Sequence, residues 1–363
     1  MGEAAVSGPV SSPPGRAADR DGAWRRGLRT LFAPLVGALV GLGIGAVLIW
    51  LAGANPLEAY RAMLDGALGG RRQIVETLLK IGPLLIMGLG LTVAFRCQVW
   101  NIGGEGQYFM GALGAVLVGL WLQETASAWV VIPLMLAAGL LGGALWAGVA
   151  AWLKLRFGIS EIISTIMLNF IAEYFVLFLA RQPLKDPESF LPQSMQLVGP
   201  ARMPTIYNRV HIGVLIALLL VPLIYVLLWR TPLGFKIRAI GSSQTVANYA
   251  GMNVVFGVAF ALMFSGALAG LTGAIEVSAL HSRLKDGISG GYGFTGILVA
   301  LLGRLHPVGV LLAAVFFGIL TVGVQSMHSI YGLPIALAQV LQGVIVLCVL
   351  VADVLARRWW RDA

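Results

Sequence analysis

The sequence predicts an all-α polytopic membrane protein of about ten transmembrane helices, arranged as two inverted five-helix halves with discontinuous helices. Three observations predict it. Of the 363 residues, 58% are hydrophobic and only 11% charged, against roughly 25% charged in a soluble domain. The apolar residues gather in runs of about twenty, greasy on all sides, which suits a hydrocarbon core of roughly 30 Å. Two Gly-rich polar breaks fall at matching places in the two halves, the pattern of inverted repeats around a solute path. Lipid offers backbone groups no partners, so spanning segments are helices or closed barrels. The period-2 alternation of barrel strands, in segments of about ten residues, is missing. A mean hydropathy of +0.87 excludes a soluble enzyme, a disordered chain and a nucleic-acid-binding domain.

Residues 1–30, rich in Gly, Pro, Ala, Ser and Arg, read as a disordered cytosolic tail. The uncharged run Leu31 to Gly53 is longer than the roughly 7–15-residue apolar stretch of a signal peptide, so it reads as a retained first helix. Nine further spans are expected near 74–95, 104–122, 130–153, 162–180, 211–229, 252–275, 288–303, 307–326 and 333–355. The membrane domain covers 31–356, and 357–363 form a short cytosolic tail. The Pro-rich segment 182–210 reads as an extracytoplasmic loop, either an ordered lid or a plain linker.

The net charge of +9 is spread over the ends of apolar runs, which makes it a statement about orientation. Ten crossings place fifteen Lys and Arg on the side of both termini and nine on the other, with Lys80 inside a span. Both termini are therefore expected in the cytosol. Cys97 and Cys348 are too few and too far apart for a disulfide framework. No G-x-x-x-x-G-K-[ST] or H-E-x-x-H occurs, and the four histidines lack metal-ligand spacing. No metal or catalytic site is expected.

The polar breaks are Asn101-Ile102-Gly103-Gly104-Glu105-Gly106-Gln107 and Gly287 to Gly296. Each follows the second helix of its half. The second break reads either as a broken helix or as glycines permitting close helix packing. Charges inside lipid are costly and mark candidate sites. Lys80 and Glu76 are spaced to neutralise each other on one helix. Glu105 and Glu173 have no such partner. Thr165, Asn169 and Glu173 share a helix face, suited either to the hydroxyls of a solute or to an interhelical clamp. The stretch 231–251, carrying Lys236 and Arg238, reads as a short amphipathic helix facing a soluble partner or as an ordinary basic loop.

Taken in order, these segments resemble a known family. Phe95-Arg96 with Asn101 to Gln107 resembles the F-R-x-G-x-x-N-I-G-x-E-G-Q signature of ABC-importer permeases of the simple-sugar and nucleoside type, which belong with the ribose and branched-chain amino acid permeases. Glu161 to Asn169 is similar to their E-V-I-S-T-x-M-L-N, Gly234 to Gly251 to their G-x-x-x-R-A-x-G…Y-A-G, Ser265 to Ala274 to their S-G-A-L-A-G-L-A-G-A, and Gly291 to Pro307 to their G-x-G-F-x-G-I-x-V-A-L-L-G-x-x-x-P. Cys97 and Gln98 stand where Ala and Gly are usual, and Asn248 where a second Ala is usual.

The resemblance implies that 31–356 is a permease domain in a bacterial inner membrane. It would carry a small polar solute, a nucleoside first, with a pentose-type sugar as the alternative and proton-driven transport through Glu105 or Glu173 as a more distant one. The implied partners are a cytosolic ABC ATPase, a second permease (a copy or a paralogue) and an extracytoplasmic substrate-binding lipoprotein. The chain itself would bind no cofactor, the ATP being used by the partner. The implied substrate path comprises Asn101, Glu105, Gln107, Tyr108, Thr165, Asn169, Glu173 and Tyr174. The implied ATPase coupling surface comprises Arg156, Ser160, Glu161, Gly234, Lys236, Arg238, Gly241 and Gly251.

Overall fold

The computed structural model describes residues 36–334 and 336–359. The expected tail 1–30, the start of the first span and residues 360–363 lie outside the described residues. Every predicted span carries a helix. Helix α1 (Val36–Leu51) turns through 112° into α2 (Pro56–Leu68), which the apolar pattern did not announce. Gly53, at φ +85°, makes the bend, and Asn55 caps α2 by accepting from Leu57 N at 3.0 Å, with Pro56 at the first helical position. The buried face of α2, Ala59, Ala62, Met63 and Ala67, packs on α12.

Helix α3 (Arg71–Arg96) is the central element, buried without interruption from Ile81 to Phe95. The chain then reverses at Gln98, a non-glycine residue at φ +59°. Position 98 thus keeps the left-handed backbone that glycine favours, although glutamine occupies it. Helices α4 (Gly104–Leu122), α5 (Ala128–Phe157) and α6 (Glu161–Arg181) complete the first half.

Segment 182–211 is an ordered cap. It contains a 3₁₀ turn (Gly199–Ala201) and an antiparallel hairpin of β1 (Thr205–Tyr207) and β2 (Val210–His211). Backbone bonds pin it to the end of the tenth helix and the loop beyond: Ser194 N donates to Leu284 O at 2.9 Å, Leu197 N to Ser282 O at 2.8 Å and Met203 N to Ser278 O at 2.9 Å. Arg283 pairs with Asp186. The Glu188 N–H and then Arg283 hold the Asp186 carboxyl below the usual carboxylate range.

The second half runs α7 (Ile212–Arg230), the short α8 (Pro232–Ser242) and α9 (Gln244–Tyr249), then α10 (Val254–Glu276), continued as a π-turn to His281. Helices α11 (Tyr292–Leu302), α12 (Pro307–Tyr331) and α13 (Ala336–Trp359) follow. Among the described residues six helices are long and apolar enough to cross a membrane, or seven with the bent α1–α2 pair as one. Helix α4 falls short because it opens on Gly-Glu-Gly-Gln, and α11 because it has 11 residues. Helix α13 runs past 356, the expected edge of the membrane domain.

The packing is that of two exchanged repeats. Helix α10 lies on α4 and α5, α3 lies on α11 and α12, and the pairs α3–α10 and α4–α11 meet directly. Where α5 crosses α10, glycine faces glycine: a Cβ on Gly143 would lie 2.1 Å from Gly266 O, and one on Gly270 2.1 Å from Gly139 O. Small residues let the backbones themselves touch, which is how helices gain packing energy in lipid.

Candidate functional site

The first polar break forms a hydrogen-bonded loop leading into α4. Asn101 is fully buried. Its amide exchanges two bonds with Gln107, each 2.9 Å, reaches Ser265 Oγ at 3.0 Å and accepts from Gly103 N at 3.0 Å. From α6, Asn169 Oδ1 accepts from Gly106 N at 2.8 Å, and its Nδ2 donates to Ile102 O at 2.8 Å. Thr165 Oγ1 accepts from Ile102 N at 3.3 Å and donates to Glu161 O at 2.6 Å. In this structure Thr165 and Asn169 act as a clamp on the loop. These side chains supply the loop backbone with partners where lipid and water supply none.

The second break arrives from the opposite face, and its helix begins at the same place. Glu105, in the first turn of α4, accepts from Ser289 Oγ at 2.5 Å and from Gly293 N, in the first turn of α11, at 2.7 Å. The approach is so close that a Cβ on Gly293 would lie 2.3 Å from Glu105 N. Two helix N-termini thus meet inside the protein with one carboxyl group between them. Each terminus carries the positive end of its dipole, so the acidic group satisfies both. Tyr108, fully buried, donates to Ile288 O at 3.3 Å. Six of the eight expected path residues therefore gather at this junction, their polar groups engaged with one another and with backbone.

The other two lie elsewhere. Glu173 is half-buried beside Phe109, Lys285 and Asp286. Tyr174 is 66% exposed and does not reach the junction. It follows its helix face outward, which the i, i+4 grouping of Asn169 and Glu173 leaves undetermined by one position.

Beside the junction lies a cavity of about 560 Å³ between α3, α11, α12 and α13. Its polar lining is Lys80, Tyr292, Thr295, Thr321, Gln325, Gln339 and Gln342. The expected Lys80–Glu76 neutralisation does not occur. Glu76 pairs with Arg209 of the cap, and Lys80 Nζ donates to Tyr292 Oη at 2.9 Å. The sequence singles out Lys80 and, within the second break, Tyr292 and Thr295, but not Thr321, Gln325, Gln339 or Gln342. The signal was present: Thr321 and Gln325, and Gln339 and Gln342, are spaced to share faces of otherwise apolar helices.

Residues 73–350 match the family described as the permease component of a branched-chain amino acid transport system. The chain belongs to this permease family. It is 32% identical over 336 residues to the glucose ABC transporter permease protein TsgB13 of Haloferax volcanii, covering 89% of this chain and 88% of that one. It is 34% identical to the guanosine ABC transporter permease protein NupP of Bacillus subtilis, over 89% and 93% of the two chains. To the nucleoside ABC transporter permease protein NupB of Lactococcus lactis it is 29% identical, over 88% and 90%.

On the face of the permease that carries Arg96, Lys154 and Arg304, α8 is docked onto the bundle. A Cβ on Gly234 would lie 2.0 Å from Leu227 O, and one on Gly241 2.0 Å from Arg96 O. Arg238 turns inward, 5.8 Å above the Trp229 ring that Arg96 also covers at 5.2 Å. Gly234, Arg238 and Gly241 therefore hold α8 in place, and the side presented outward carries Phe235, 57% exposed, and Lys236. Gly251 closes α9 at φ +75°. Arg96 Nε donates to Leu305 O at 2.9 Å, in a turn where Arg304 and Leu305 both have positive φ. In the same turn the His306 ring packs against Trp229, tilted by 55° with the centroids 5.0 Å apart, and burial followed by the Arg96 charge pushes its imidazole below its usual pKa. At the α5–α6 turn Lys154 holds Glu161 at 2.5 Å, leaving Arg156 and Ser160 exposed. The expected coupling residues thus divide into anchors and exposed groups.

Proposed function

We propose that this permease is the membrane subunit of an ATP-driven importer for a nucleoside. The basic face would lie in the cytosol with both termini, in a bacterial inner membrane. A separate ABC ATPase would dock there, a second permease would complete the pore, and an extracytoplasmic lipoprotein would deliver solute to the cap face. The observation that carries this reading is the pair of half-helices α4 and α11 meeting N-terminus to N-terminus beside a polar cavity, the arrangement that lets repeats rock around a central site. The named functions of the Bacillus and Lactococcus relatives support a nucleoside, and that of the Haloferax relative supports a sugar as the second reading.

The coupling path would run from α8, through Arg96 and Trp229, to the 304–306 turn and so to α11. Uptake competition between radiolabelled nucleosides and pentoses, in cells lacking this chain and then restored, tests the solute. Replacing the exposed pair, Phe235→Ala with Lys236→Glu, tests the coupling surface. Uptake is expected to fall by about 5–150-fold, the range of a typical coupling free energy, while the chain still accumulates in the membrane. Unchanged uptake would place the ATPase contact elsewhere.

A further inference from the structure

We propose that the cavity between α3, α11, α12 and α13 selects solutes that present a carbonyl oxygen beside a ring N–H, the lactam edge of an oxo-substituted nucleobase. Lys80 is the donor to that carbonyl, and the Gln325 and Gln339 amides pair with the edge. The inference rests on the nucleoside reading above and narrows it.

Charge comes first. Among the described residues, Lys80 is the one charged residue lining the cavity, and no carboxylate lines it. Its partner is Tyr292, through the hydroxyl at 2.9 Å and the ring face at 5.4 Å. A neutral hydroxyl and a ring are weak compensation for a partly buried ammonium group. A solute carbonyl placed there gains a charge-assisted bond, whereas an amino group on the solute meets a second donor. The amides come second. Gln325 and Gln339 line the cavity, and their side chains form no hydrogen bond among the described residues. A primary amide offers a donor and an acceptor side by side, the complement of a lactam. Gln342 is already engaged with Thr321 Oγ1 at 3.2 Å. Shape comes third. A volume of 560 Å³ lies within the roughly 300–1,000 Å³ of small-molecule sites, and the Tyr292 and Phe294 rings give a flat heterocycle a surface to lie on. A full anion fits less well, because conduction needs binding weak enough to release, and a carboxylate against Lys80 would be held too firmly.

The test is uptake by cells carrying the assembled importer, with inosine and adenosine as probes. They differ in a ring carbonyl against an amino group. The binding protein is the same for every variant, so changes in the inosine-to-adenosine ratio report on the permease. The wild-type chain is expected to favour inosine. Lys80→Met is expected to lower inosine uptake by about tenfold or more, the worth of one hydrogen bond to a charged group, and adenosine uptake by much less, so that the inosine-to-adenosine ratio falls. Lys80→Arg and Tyr292→Phe, which both keep a cation, should keep the preference. Gln339→Leu, which leaves Lys80 in place, should lower the same ratio even if the Lys80→Met chain fails to accumulate. An equal fall for both nucleosides, or a ratio that no variant moves, overturns this inference and leaves the nucleoside reading standing. Uptake of a pentose with no nucleoside uptake overturns both.

Discussion

Replacing Gly270 by valine is expected to prevent the chain from accumulating as a folded protein. A Cβ at this position would lie 2.1 Å from Gly139 O, 2.8 Å from Gly143 N and 2.9 Å from Gly143 Cα. These are backbone atoms of α5, so no change of rotamer relieves the overlap. From the other side, a Cβ on Gly111 of α4 would lie 2.2 Å from Gly270 Cα. Three helices therefore close on one glycine, and separating them forfeits the dispersion contacts along the whole crossing. Overpacking of a well-filled core costs about 1–3 kcal/mol and occasionally more; a clash of backbone with backbone belongs at the upper end. Gly43→Ala in α1 is the control, because nothing lies within 4 Å of its Cβ position. Size-exclusion profiles and thermal unfolding in detergent separate the two. A Gly270→Val chain that folds and elutes as wild type would mean that α5 and α10 are not in backbone contact.

Glu105→Ala is expected to destabilise the junction and to abolish uptake. It strands two buried donors, the Ser289 hydroxyl and the Gly293 N–H, at about 1–3 kcal/mol each. It also removes the acidic group between two helix N-termini, worth up to about 2 kcal/mol in a partly buried setting. Glu105→Gln keeps one carbonyl oxygen and turns an NH₂ toward the other donor, so an intermediate loss is expected. Thermal unfolding and uptake read both variants together. Full stability of the alanine variant would mean that α4 and α11 do not depend on this residue to stay joined.

Much of this organisation was legible in the sequence. The span 104–122 coincides with α4, and the other spans fall on helices, because lipid forces every backbone group to pair locally and hydropathy is a local property. The polar break at 101–107 and the residues Thr165 and Asn169 were visible because polar groups are conspicuous in an apolar chain. Their roles were not visible. Asn169 could serve a solute or a neighbouring backbone on equal sequence grounds, and its bonds to Gly106 N and Ile102 O appear only once the helices are packed. Lys80 shows the same limit. Helical spacing offers Glu76 as its partner, but the cap brings Arg209 to Glu76, and α11 brings Tyr292 to Lys80.

The sequence by itself determined that this protein is a bundle of membrane helices, that two polar breaks interrupt the apolar runs, and which permease family it resembles. These follow from run length, polarity and short motifs, all of which act within a few residues along the chain. The tertiary structure alone decided that the two breaks converge on Glu105, that segment 182–211 is a pinned cap and that a polar cavity opens between α3, α11, α12 and α13. Each depends on which helix faces touch. In lipid that choice is made by close packing and by stray hydrogen-bonding groups finding partners, often more than a hundred residues away: Glu105 and Ser289 are 184 positions apart.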